Sequence, residues 1–205
     1  MTSHRRPPGR PRSDQGDIPI PELILKNAIP LFLGRGYEGV SMDDVAKQCG
    51  ITKASVYYYF PSKAELLTAS MIALMNNIRK ITILRLSQPL PLRERLLDIT
   101  QAHLQAIDFD FDSFMRKMES TMSAEQMEAM RLAEQGLFDA LEIEFAKASA
   151  SGEIGFVDPR ITARAYVALL MMGHAKDAHG LSLFASKQEA AEKIIELLWN
   201  GLSPK

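Results

Sequence analysis

The sequence predicts an all-α protein of about nine helices. Three observations carry that expectation. Apolar residues recur at i, i+3 and i+4 along most of the 205 residues, and alternating apolar–polar runs are absent. Helix caps punctuate the chain: a serine, threonine or aspartate precedes most periodic segments. Prolines and glycines then fall mostly between those segments, with Pro30 as an exception.

The chain opens with a basic tail, His4-Arg5-Arg6-Pro7-Pro8-Gly9-Arg10-Pro11-Arg12, which lacks acids and cannot pack a core. It reads either as a solvated tail or as an extended arm whose Arg5, Arg6, Arg10 and Arg12 suit a narrow A·T minor groove. Pro19 and Pro21 open the first helix, about 22–35, with Leu23, Ala28, Leu31 and Phe32 as its buried stripe and Pro30 as a kink or end. Gly34, Gly36 and Gly39 break the chain before Ser41.

Residues 41–67, SMDDVAKQCGITKASVYYYFPSKAELL, carry the most chemistry. Ser41 caps a short segment in which Val45 and Ala46 share a face, ending at Cys49. Gly50 supplies a residue tolerant of positive φ, Ile51 plugs the turn, and Thr52 caps a second segment from Lys53 to Phe60. Helix, tight glycine turn and helix form a helix-turn-helix, whose second helix enters the DNA major groove. Val56 and Phe60 are spaced to face the core, which leaves an exposed face unlike an ordinary solvated helix. On it, Lys53, Ala54, Ser55 and Tyr57 suit base edges, and Ser41, Tyr58, Tyr59 and Lys63 suit phosphates. Lys63 follows the cap Ser62, where a cation opposes the helix dipole, so an anion is expected beside it.

These residues resemble the tetracycline-repressor (TetR) family. The likeness rests on Gly36-Tyr37, Ser41-Met42-Asp43-Asp44-Val45-Ala46, Gly50-Ile51-Thr52-Lys53, Val56-Tyr57-Tyr58-Tyr59-Phe60 and Pro61-Ser62-Lys63-Ala64-Glu65-Leu66-Leu67, within roughly residues 20–70. Cys49 stands where the family usually has alanine. The resemblance implies a basic disordered arm over 1–18, a three-helix DNA-binding domain over 19–67, and an effector-binding and dimerisation domain over 68–205. It also implies an effector pocket in the middle of the chain and dimerisation through the last two helices as a four-helix bundle.

Beyond Ser62 the punctuation gives a long helix to Leu86, a helix over 92–107, a short aromatic segment over 109–122, and a helix from the Ser123/Gln126 capping box to Ala150. Asp158-Pro159 starts another to about Lys176, and Ser186 caps the last through Trp199. Phe109, Phe111, Phe114, Met115, Met118 and Met122 are soft, large side chains. With His103, Leu104, Phe138, Met171 and Met172 they line an apolar cavity or form plain core. The last two helices are too apolar for a solvated surface, so Ala165, Leu169, Met172, Ile195, Leu198 and Trp199 read as a dimer interface, with core as the plainer reading.

Net charge is only −1, but its distribution is uneven. Residues 1–63 carry nine Lys/Arg against six Asp/Glu, and residues 64–205 carry fifteen against nineteen. A basic end joined to an acidic body suits a protein that touches DNA at one end. No apolar run is long enough to cross a membrane, no secretory signal is expected, and a single cysteine forms no internal disulfide, so a cytoplasmic location is expected. Nucleophile motifs, phosphate loops and metal-spaced ligand pairs are lacking; His174 and His179 are five apart, which puts them on different helical faces. No enzyme activity, cofactor or metal is expected. The sequence is best read as a homodimeric repressor that covers a palindromic double-stranded operator and is released by a small hydrophobic effector. The alternatives are a helical ligand carrier or enzyme without a DNA role, and an activating or nucleoid-associated family member.

Overall fold

The computed structural model describes residues 18–106 and 111–203, apart from the side chain of Asp112. Within them the chain is all-helical: α1 (Ile20–Arg35), α2 (Met42–Cys49), α3 (Lys53–Tyr59), α4 (Lys63–Leu86), α5 (Leu92–Ala106), α6 (Phe111–Met118), α7 (Ala124–Ala150), α8 (Pro159–Met172) and α9 (Lys187–Leu202). One isolated antiparallel bridge, between Lys176 and Ser182, is the only β pairing among the described residues. The expected fold class is therefore observed, with an N-terminal helix-turn-helix. The basic arm, Phe109 and Ile107 lie outside the described residues.

The first three helices pack by a short list of apolar contacts. α1 buries Ile24, Ala28 and Phe32, one i, i+4, i+8 stripe, so Leu23 and Leu31 are only half-buried, contrary to the sequence reading. The helix passes through Pro30 because that residue lies on the exposed face, where water can satisfy the carbonyl that a proline leaves without a donor. α2 starts at a full capping box. Ser41 accepts from the Asp44 amide at 3.1 Å, and Asp44 Oδ2 accepts from the Ser41 amide at 2.9 Å and hydroxyl at 2.6 Å. Gly50 ends α2 at φ 68°, ψ 28°, the left-handed region in which a side chain is disfavoured. Thr52 caps α3 by accepting from the Ser55 amide at 3.1 Å, and Val56 is wholly buried.

One apolar cluster ties this head to the body. Leu66, Leu67, Met71, Leu74 and Met75 of α4 meet Ile24, Phe32, Val45 and Val56 on one side and Phe111, Met115, Met122 and Met130 on the other. A second cluster, built on Phe138, Leu141, Phe145, Tyr166 and Ile195, fills the far end. There Tyr166 donates to the Leu96 carbonyl at 3.1 Å and meets the Thr100 hydroxyl at 3.0 Å; burial pushes its phenol pKa well up.

Two helix ends differ from the sequence reading. α8 stops at Met172, not near Lys176; the next residue, Gly173, lies against α5, where a Cβ would stand 2.4 Å from Leu104 Cδ2. α9 continues past Trp199 to Leu202, whose carbonyl accepts from the Gly155 amide at 2.7 Å.

The far end of α4 is fixed by charge. Arg95 donates to the Leu86 carbonyl at 2.6 Å, pairs closely with Glu144, and lies 3.6 Å from Glu153 Oε2, with only 10% of its side chain exposed. Glu153 also accepts from the Leu92 amide. Removing Arg95 strips both carboxylates and the Leu86 carbonyl of their shared guanidinium, leaving the mostly buried Glu144 with only Lys147 at 3.8 Å among the described residues. Arg95→Ala should therefore cost about 3–5 kcal/mol in urea unfolding. Arg93→Ala, on the exposed side of the same helix, should change stability by no more than about 0.5 kcal/mol.

Candidate DNA-binding face and ligand cavity

The helix-turn-helix places its charged and aromatic residues on one outer surface. Tyr57 is 43% exposed, Tyr58 80% and Tyr59 36%, and the last two rings meet edge to face at 4.9 Å. Ala54 is exposed, and Ser55 is half-buried with its hydroxyl 2.8 Å from that of Thr52, inside the helix cap. A groove of about 560 Å³ runs between the α1–α2 loop, α3 and the start of α4, with Ser41, Lys53, Tyr57 and Lys63 on its walls. Ser41, Lys53, Tyr57 and Lys63, selected from the sequence, thus share one groove, with Tyr58 exposed on the same helix as Tyr57.

The two lysines are held by other groups. Lys53 Nζ lies 3.0 Å from Asp43 Oδ2, and that carboxylate raises the lysine's pKa. Lys63 Nζ donates to the Tyr37 carbonyl at 2.9 Å, sits 4.0 Å above the Tyr37 ring and lies 3.9 Å from Glu38 Oε2. The anion expected at the start of α4 is thus answered in part by the chain itself. Asp44 is held below the usual carboxylate range by the Ser41 hydroxyl and amide. The sequence reading gives Asp43, Glu38 and Tyr37 no site role. A signal is present in the i+10 spacing of Asp43 and Lys53 across the turn, but only a folded turn makes those two neighbours.

Between α4, α5, α7 and α8 lies a cavity of about 730 Å³, within the usual range for small-molecule sites. Of the residues named from the sequence for a pocket, His103, Phe111, Phe138 and Met171 line it. The other residues named for it lie elsewhere. Met115 is 1% exposed, and with the half-buried Phe114 and Met118 it belongs to the cluster that joins the head to the body. Leu104 is buried against Ala190, Ala191 and Ile194 of α9, and Met172 packs on the same group. The physical reason is the direction of α6: its apolar face turns toward α4 and α7 near the head, and only Phe111 reaches the cavity. The missed lining comes from α4, whose Ile78, Ile81, Thr82 and Arg85 follow i, i+3, i+4 and i+7 spacing. Arg164 also lines the cavity, its guanidinium 4.3 Å over the Phe138 ring and 3.1 Å from Gln135 Oε1. The His103 and His174 rings are 6.0 Å apart. Among the described residues no group of three or more His, Cys, Asp or Glu is arranged to hold a metal ion, and no helix is long and apolar enough to cross a membrane.

On α8 and α9 the structure divides the residues named for an interface. Ile195 and Leu198 are 1% and 8% exposed and lie in the chain's own core, packed with Tyr166 and Phe145, because α9 turns that face toward the body. Ala165 is exposed, and Leu169, Met172 and Trp199 are half-buried. The large apolar side chains left outward on these helices are Ile161 at 67% and Leu197 at 57% exposure.

Residues 24–69 match the family described as bacterial regulatory proteins, tetR family. A curated relative, the biofilm operon icaADBC HTH-type negative transcriptional regulator IcaR of Staphylococcus aureus, is 39% identical over 63 residues. That match spans 31% of this chain and 34% of the relative, so the chain covers about a third of the length of the curated relatives it matches. Likeness to solved structures extends over the whole fold. A TetR/AcrR-family transcriptional regulator of Thermobifida fusca is 26% identical with a TM-score of 0.62, over 89% of this chain and 97% of that one. AibR, solved in complex with isovaleryl coenzyme A and operator DNA, has a TM-score of 0.62 at 23% identity, over 87% of this chain and 97% of its own. The head is thus similar to the tetR family over residues 24–69, and the described residues share the helical frame of solved regulators of that kind.

Proposed function

We propose that this protein is a ligand-responsive repressor that binds a palindromic operator as a homodimer and is released by a small, mostly apolar effector. The observation that carries the reading is the course of α4. Its first turn borders the outer groove at Lys63, and its second half, from Leu74 to Arg85, walls the cavity. One helix thus touches both candidate sites, so a ligand that favours one position of α4 alters the placement of α3. In support, IcaR is named a negative regulator and AibR binds both operator DNA and an acyl-CoA. Binding of the full chain to its own upstream DNA, and release of that DNA by an apolar compound that also raises the melting temperature, tests the reading.

In this reading Lys53, Ala54, Ser55 and Tyr57 face base edges, and Ser41, Tyr58, Tyr59 and Lys63 face phosphates. Arg5, Arg6, Arg10 and Arg12 reach the adjacent minor groove. The dimer forms through the outward faces of α8 and α9, led by Ile161, Ala165 and Leu197 with Leu169, Met172 and Trp199 at the edge. Residues 68–205 serve effector binding and dimerisation, and the protein works in the cytoplasm.

Lys53→Ala should cost about 1–3 kcal/mol on the operator and relax preference at one base pair per half-site. Lys63→Ala should weaken operator and random DNA alike and make the salt slope shallower by about 0.9 for each phosphate left without its lysine. Anisotropy titrations at several salt concentrations separate the two patterns; an exchange of patterns would swap the roles. Ile161→Glu with Leu197→Glu should give a folded monomer by sedimentation, since both side chains are already exposed. Ile195→Glu should instead unfold the protein, because it buries a charge in the core. Ala102→Phe, which adds a ring at the cavity wall, should abolish the effector's melting shift while leaving DNA affinity within about twofold, a change of under about 0.5 kcal/mol.

A further inference from the structure

The cavity between α4, α5, α7 and α8 is apolar in depth and charged at its rim. Its buried wall includes Leu74, Ile99, Phe138, Leu141 and Leu170. Tyr166 adds a hydroxyl there, but that group is committed to the Leu96 carbonyl and Thr100. The charged side chains, Arg85, Glu134 and Arg164, all belong to the less buried lining. Arg85 pairs closely with Asp98 of α5, so its charge is already matched. Arg164 is held differently. Its guanidinium lies 4.3 Å over the Phe138 ring, and Nη2 donates to Gln135 Oε1 at 3.1 Å. Asp139 turns that amide by accepting from Gln135 Nε2 at 2.7 Å. Both groups that hold Arg164 are neutral, and none of the ion pairs among the described residues includes it. A ring and an amide oxygen orient a guanidinium without neutralising it. The N–H groups that remain keep the fork geometry that a carboxylate takes up.

We propose that the effector is an amphipathic carboxylate, its apolar chain or ring filling the cavity and its charged end paired with Arg164 at the rim. The inference rests on the reading above that this cavity takes an effector. The apolar depth accepts an acid, an alcohol or an amine of one carbon skeleton alike, so the end group decides among them. An alcohol gains an ordinary hydrogen bond from the guanidinium. A carboxylate gains a charge-assisted, two-pronged one. An ammonium meets a like charge at Arg164 and loses by it. Glu134 is the one rim residue that would favour an ammonium, so the order of the three end groups tells which charge governs the rim. Arg164 is exposed, and water screens its field. The preference is therefore expected to be on the order of tenfold, not thousands.

The test is calorimetric titration of the full chain with decanoate, decanol and decylamine, below their micelle concentrations, and with a naphthalene set carrying the same three end groups. In whichever set binds, the carboxylate should bind about tenfold tighter than the alcohol, and the amine weakest. Arg164→Gln should bring the carboxylate down to the alcohol, hold the alcohol within about twofold, and leave ligand-free operator affinity unchanged. Arg164→Lys, which keeps the charge but not the fork, should retain a smaller preference for the carboxylate. Gln135→Glu gives Arg164 a carboxylate of its own and should cut the preference with the arginine still in place. Ala102→Phe should abolish binding of every probe, which locates them in the cavity. An alcohol that binds wild-type protein as tightly as the acid, an amine that binds tightest, or an equal loss of acid and alcohol in Arg164→Gln, each overturns the proposal. Binding in the expected order without release of operator DNA would leave the carboxylate site standing and overturn the effector reading. No binding by either set overturns both.

Discussion

The apolar cluster around the first half of α4 is the contact on which the rest of the structure depends. Leu66, Leu67 and Met71 are fully buried in it, and they face α1–α3 and α6–α7 together. The head is small and two of its three helices are short, so it offers little core of its own. It borrows one from the body through α4. A boundary drawn after Leu67 divides the chain by sequence, but the packing runs straight across it: Met71, Leu74 and Met75 belong to the same cluster as Val45 and Val56. Methionine on both sides of that joint, at 71, 75, 115, 122 and 130, gives a seam of unbranched side chains that can repack at low cost.

What was legible in the sequence was local. The turn at Gly50, the caps at Ser41, Thr52, Ser62 and Ser123, and the exposed Lys and Tyr residues of α3 depend on neighbours within a few positions, so their spacing carries the information. The cavity was not legible in the same way, because its wall is assembled from helices far apart in sequence. The aromatic and methionine residues of 111–122 had the composition of a ligand site and of a packed joint alike, and only the direction of α6 decides for Phe114, Met115 and Met118. For Ile195 and Leu198 the ambiguity was of the same kind. An apolar helix states that it is covered, not by what, and α9 covers that face with α5 and the body. The ion pairs of Lys53 and Lys63 were hidden because each joins residues ten or more positions apart that only the folded head makes neighbours.

Polar groups at the head and at the far end follow opposite rules. Lys53 and Asp43 are half in solvent and exchangeable. Arg95, Glu144 and Glu153 are withdrawn from it and mutually dependent. In the proposed reading, the surface that meets DNA keeps its charges weakly held, whereas the joint at the far end encloses them.

The position of that enclosed joint decides how α4 can move. Arg95 grips the Leu86 carbonyl, and Arg85 pairs with Asp98 of α5, so the C-terminal end of α4 is pinned to the body. Sliding along the helix axis would break both contacts. Tilting about the pinned end strains them least. At a rise of about 1.5 Å per residue, the 24-residue helix is roughly 36 Å long. A tilt of only about 5° would carry Lys63 sideways by about 3 Å over a lever of that length. That distance equals about one hydrogen bond. Ile78 and Ile81, which line the cavity partway along the lever, would move by less than half as much. The arrangement therefore magnifies displacement from cavity to head, so the effector proposed for the cavity would need to shift its walls only slightly to put the outer groove out of register.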